Sequence, residues 1–72
     1  MEYITRRPED LGVALAEFRT IRGVSQAELA DRLGVQRTYL SKLESGSPTA
    51  ALERLVAAFS ELGLELVVRD RQ

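Results

Sequence analysis

Apolar residues recur at intervals of three and four along most of the chain and then, near its C-terminus, at intervals of two. Leu11, Ala14, Leu15, Phe18 and Ile21 form one stripe that ends at Gly23. That spacing keeps one face of an α-helix apolar, and a glycine just past the last apolar position is a common helix stop. Pro8-Glu9-Asp10 supplies a first turn, with two acids facing the positive end of the helix dipole. The pattern therefore predicts a helix over about residues 8–22. Gly12 inside it costs about 1 kcal/mol relative to alanine, so either another backbone approaches closely there or the first turn is frayed.

Ser25-Gln26-Ala27-Glu28 is a capping box, in which Ser25 and Glu28 each satisfy an exposed backbone N–H of the other. Val24 and Leu29 have the spacing of a hydrophobic staple across it. A short helix over 26–33 follows, with Leu29, Ala30 and Leu33 as its buried face and Gly34 as its stop. A third helix is predicted over 37–45, with Val35 buried at its start and Leu40 and Leu43 along its inner side, leaving through Ser45-Gly46-Ser47-Pro48. Thr49 can cap a fourth over 50–62, whose Leu52, Leu55, Val56, Phe59 and Leu62 make a broad apolar stripe ending at Gly63. Beyond it Leu64, Leu66 and Val68 alternate with Glu65, Val67 and Arg69, the period of a strand over 64–69. A single strand cannot satisfy its own backbone. Its partner is either the short Tyr3-Ile4-Thr5 stretch or a second copy of the chain.

Seventy-two residues allow one small core and a single domain over 1–72, and 44% hydrophobic with 29% charged residues is the balance of a folded domain. The chain has no cysteine and no histidine, which removes disulfides, thiolate nucleophiles, imidazole bases and the ordinary zinc ligand sets. No metal or cofactor is expected. No apolar run approaches the ~18 residues of a membrane span, and the charges at Glu2, Arg6 and Arg7 interrupt any signal-peptide pattern; a cytosolic protein is expected. The net charge is only −1, but between Arg19 and Lys42 five basic residues face two acidic ones. Nucleic-acid affinity depends on local charge, and the basicity sits in one segment.

That segment contains two short helices joined by a tight glycine turn, Ser25 to Gly46, a helix-turn-helix arrangement. With Gln26, Ala30, Gly34, Leu40 and Leu43 at these intervals between two longer helices, the chain from about Leu11 to Gly63 resembles the lambda-repressor-like, or XRE, family of DNA-binding domains. The resemblance implies an all-α helix-turn-helix bundle of four main helices with a short C-terminal β-strand. Within that family the chain is most similar to HipB-like antitoxin regulators, which carry a C-terminal strand comparable to LELVVR here. The resemblance implies a homodimer that binds its own double-stranded operator DNA and partners a HipA-like serine/threonine kinase toxin, and the strand's unpaired backbone makes strand pairing between two copies the expected dimer contact.

With the third helix in the major groove, Gln36, Arg37, Thr38, Ser41 and Lys42 form the face able to reach base edges: Arg37 and Lys42 suit guanine, Gln36 adenine, and Thr38 a thymine methyl. The resemblance assigns Gln26 a phosphate contact at the start of the second helix, where N–H groups and the helix dipole already favour an anion; Ser25 beside it and Arg22, a basic residue flanking the motif, are expected phosphate contacts as well. Arg32 is a further phosphate candidate. Tyr39 either points its hydroxyl at the DNA backbone or simply packs. The resemblance assigns Arg19 and Glu44 to a structural ion pair between the first and third helices. Phe59, Leu62, Leu64, Leu66 and Val68 are the expected dimer interface. Set against this regulator are a stand-alone repressor with no toxin partner, a protein-interaction adaptor on the same fold, and an enzyme, which without histidine or cysteine would need paired carboxylates in a cleft.

Overall fold

The computed structural model describes residues 1–47 and 49–71. Pro48, read above as part of the loop leaving the third helix, and Gln72 lie outside them. The elements run β1 (Glu2–Thr5), α1 (Pro8–Ile21), α2 (Gln26–Leu33), α3 (Arg37–Glu44), α4 (Ala50–Glu61) and β2 (Leu66–Arg69).

Local chemistry sets these limits. Asp10 accepts hydrogen bonds from the backbone N–H of Arg6 and Arg7, both at 3.0 Å, and so caps α1 from inside its first turn. Those two donors hold its carboxyl below the ordinary aspartate value. At α2 the capping box closes in both directions: Ser25 Oγ accepts from Glu28 N at 3.0 Å and Glu28 Oε1 accepts from Ser25 N at 3.2 Å. Thr49 Oγ1 accepts from Leu52 N at the start of α4. Gln36 precedes α3 with no side-chain cap. All four helices end alike: a residue in the left-handed region, Gly23, Gly34, Gly46 or Gly63, turns the chain so that the next N–H reaches back to a carbonyl five residues earlier. This accounts for a shorter second strand than the alternation predicts. Leu64 N donates to Phe59 O at 2.8 Å as part of the α4 terminus, and pairing starts only at Leu66.

β2 finds its partner inside the chain. It pairs antiparallel with β1, Tyr3 opposite Val68 and Thr5 opposite Leu66, and Thr5, only 4% exposed, donates its hydroxyl to the Leu66 carbonyl at 3.0 Å. The backbone accounting that pointed to a second copy of the chain is thus met by β1 along one edge of β2. Tyr3, Leu66 and Val68 are half-buried, whereas Ile4 and Val67 face outward.

The core is small. Ala14, Ala30, Leu40 and Val56 are buried, ringed by half-buried Leu11, Leu15, Phe18, Leu29, Leu43, Leu52 and Phe59. α1 lies at its centre, packed on α3, α4 and β1, and α2 packs on α3. Gly12 belongs to this packing: a Cβ there would collide with the Leu43 carbonyl oxygen, so close approach of α1 and α3, and not fraying, explains the glycine. Several apolar positions of the predicted stripes fall outside the core, Leu55 and Leu62 among them at 53% and 74% exposed. Leu33 is 59% exposed, because it is the last residue of α2 and extends past the crossing at Ala30; Ile21, the last residue of α1, is 63% exposed. No helix among the described residues is long and apolar enough to cross a membrane.

Candidate nucleic-acid interface

α2 and α3 are joined by a turn of three residues. Gly34 sits at φ 72°, Gly34 N donates to Asp31 O at 3.2 Å and Val35 N to Ala30 O at 3.0 Å. Ala30 is 2% exposed at the helix crossing, where a larger side chain would push the helices apart, and the fully buried Leu40 ties α3 to the core. One side of α3 is therefore committed to packing. The other presents Gln36, Arg37, Thr38 and Lys42 to solvent, with Ser41 half-buried between them. Tyr39 is 53% exposed, so its ring is only partly packed.

A linked set of side-chain hydrogen bonds lies behind this face. Arg19 of α1 and Glu44 at the end of α3 make a two-pronged ion pair, Nε to Oε2 at 2.6 Å and an Nη to Oε1 at 3.0 Å, with side chains 16% and 6% exposed. The remaining Nη of Arg19 donates to the Val24 carbonyl at 2.8 Å, holding the loop between α1 and α2. Glu44 Oε1 also accepts from Gln26 Nε2 at 2.9 Å, and Gln26 Oε1 accepts from Arg37 at 3.3 Å. The Arg19 hydrogen bonds, ahead of the opposing effect of burial, hold the Glu44 carboxyl below its ordinary value, and the same pairing raises Arg19. The result is a hydrogen-bonded chain, Arg19–Glu44–Gln26–Arg37, running from the scaffold to the exposed face of α3.

The sequence-derived candidates do not all come together. Gln36, Arg37, Thr38, Ser41 and Lys42 come together on one helix face, and Lys42 and Arg37 have no carboxylate partner among the described residues. Gln26 and Ser25 stand beside that face at the N-terminus of α2, but both already serve the fold: Ser25 Oγ caps α2, and the half-buried Gln26 amide bridges Glu44 and Arg37. Arg22 is exposed but lies 3.9 Å from Asp70, and Arg32 lies 4.0 Å from Glu28. Of the expected interface residues, Phe59, Leu66 and Val68 are half-buried within the chain, whereas Leu62 and Leu64 are 74% and 53% exposed. The bridging role of Gln26 has no sequence signature, since it depends on how α2 and α3 cross.

A family model described as helix-turn-helix matches residues 15–68. No curated protein and no solved structure shows significant similarity to the chain.

Proposed function

The chain belongs to the helix-turn-helix family, a family of DNA-binding regulatory domains and not of enzymes, and from that premise we propose that it is a sequence-specific transcriptional regulator that reads double-stranded operator DNA with α3. The observation that carries this reading is the pairing of an unneutralised polar face, Arg37, Thr38 and Lys42, with a half-buried ion-pair network that locks the helix bearing it. A side chain that reads a base edge must be held in place, because looseness of an ångström forfeits a bidentate contact. Arg22, Arg32, Ser25 and Gln26 would contact phosphates, which set the register without reading sequence. The regulator acts in the cytosol as a homodimer, so that two recognition helices read half-sites one DNA turn, about 34 Å, apart.

The finer reading is an autoregulating antitoxin of HipBA type with a HipA-like kinase partner. Its support is the likeness of the C-terminal strand segment to HipB-like regulators. Two experiments test the pair of readings. Fluorescence anisotropy with the DNA upstream of the gene, against unrelated competitor DNA, should show preference for one sequence, and equal affinity for both would overturn specific recognition. Co-expression with the neighbouring reading frame should yield a complex with a kinase-like protein; a neighbour of another kind, with no complex, leaves a stand-alone repressor.

A further inference from the structure

α4 carries a second apolar stripe that the fold does not use. Ala51, Leu55, Ala58 and Leu62 recur at intervals of four, three and four, which places them on one line along the helix, roughly a quarter turn from the face on which Val56 is buried. All four are exposed, Leu55 at 53% and Leu62 at 74%. On the flank of this stripe farther from the core stand Arg54 and Glu61, both exposed and neither in an ion pair among the described residues.

The order of these residues has a two-fold symmetry of its own. When the stripe meets a second copy of itself antiparallel, Leu55 falls opposite Ala58, Ala58 opposite Leu55, and Ala51 and Leu62 opposite each other at the two ends. Every leucine then faces an alanine, which lets the helices approach to ~8 Å with the large side chains filling the space above the small ones. In the same register Arg54 of one copy lies two positions, ~3 Å of helix rise, from Glu61 of the other on the shared flank, a gap that long side chains span, and the symmetry makes that pair twice. An isologous contact requires a self-complementary patch, and this one is complementary in both size and charge. We infer that the exposed face of α4 is the homodimer contact, its occupant a second copy of this chain. The inference rests on the dimeric regulator reading above and moves the contact from the edge of β2 to α4.

Four small and medium side chains make an interface at the low end of specific contacts, so the dimer should dissociate in the micromolar range and be tightened by DNA carrying two half-sites. The test is sedimentation equilibrium of the full chain without DNA, over a concentration series. The parent should show a monomer–dimer equilibrium. Leu55→Glu should weaken it on the order of a hundredfold or more. Arg54→Glu and Glu61→Arg, each alone, should weaken it roughly tenfold by bringing like charges together, and the double reversal should restore the parent value. These positions are exposed, and circular dichroism should show all variants folded. A parent that stays monomeric, a dimer that Leu55→Glu leaves unchanged, or a double reversal no better than either single one overturns the proposal. DNA binding is read separately: Leu55→Glu should bind a single half-site as the parent does and lose only the advantage of two. A chain that dimerises through α4 yet prefers no DNA overturns the DNA reading instead, and leaves the contact established.

Discussion

Gly12 of α1 lies against the Leu43 carbonyl oxygen of α3 so closely that a methyl group at position 12 would collide with it, and the Glu44 carbonyl oxygen would be only 3.2 Å away. The obstacle is backbone, which cannot rotate aside as a side chain can. Helix propensity alone says that Gly12→Ala should stabilise α1 by about 1 kcal/mol. Packing says the reverse, because overfilling a close contact costs about 1–3 kcal/mol. Gly12→Ala should therefore lower stability in urea denaturation, and a variant more stable than the parent would place α1 and α3 farther apart than described.

The pair formed by Arg19 and Glu44 should govern stability and its acid limit. Glu44→Gln keeps the shape but leaves the Arg19 guanidinium, 16% exposed, without its counter-charge, and the melting temperature should fall on the order of 10 °C. Glu44 titrates below its ordinary value of 4.5 in the folded chain, so the unfolded chain takes up the proton first as pH falls. The stabilisation is thus complete above that ordinary value and is lost on acidification through the lower folded value. Glu44→Gln should show a shallower loss of stability below about pH 5 than the parent, although Asp10 and Glu28, held low by backbone donors, leave some slope. Parallel acid profiles would mean that Glu44 does not contribute.

Where a residue's role is local, the sequence declares it. Ser25, Glu28, Thr49 and the four helix-ending glycines act on neighbours within one turn, and the helices start and stop where these residues stand, α1, α3 and α4 each ending one residue before the spans read from the pattern. Roles that depend on packing are less visible. Arg19 and Glu44 lie 25 positions apart, and only likeness to a family links them before the fold is seen. Gln26 reads as a free helix-starting residue until the crossing of α2 and α3 brings Glu44 and Arg37 to its two ends. Periodicity also cannot say which part of a broad stripe is covered: Leu55 and Leu62 match the helical period as well as the buried Val56, but the small core reaches only one side of α4. β1 is four residues with two polar ones, too short to announce itself without β2.

The Gln26–Arg37 hydrogen bond makes recognition by these two residues interdependent. Arg37→Ala should cost about 1–3 kcal/mol of operator affinity and relax preference at one base pair. Gln26→Ala removes a phosphate donor candidate and at the same time releases Arg37 from its support, so it should weaken binding to all sequences and also blunt the preference at that base pair. The double substitution should then cost less than the sum of the two. Anisotropy titrations over a four-base panel would measure this. Strict additivity would show that the two side chains act separately on DNA, and affinity untouched by either would remove α3 as the reading helix.

The pairing of β2 with β1 gives the C-terminal strand a role inside the chain, and its loss should be felt first as loss of stability. Thr5 links the strands twice, through the backbone ladder and through its hydroxyl on the Leu66 carbonyl at 3.0 Å. Thr5→Val preserves the shape and the strand propensity but leaves that carbonyl one donor short, at a cost of about 1 kcal/mol, or a drop in melting temperature of roughly 4–8 °C for a chain of this size. Thr5→Ser keeps the hydroxyl and should lose less. Ending the chain after Gly63 removes β2 outright, leaves β1 unpaired and uncovers the side of α1 on which the sheet rests. The shortened chain should melt well below the parent at every protein concentration, whereas a strand that acted only between two copies would make the loss vanish at dilutions where the parent is itself monomeric. Scanning calorimetry of parent and shortened chain on both sides of the monomer–dimer midpoint separates the two, and equal melting temperatures for the dilute samples would return β2 to a role between subunits.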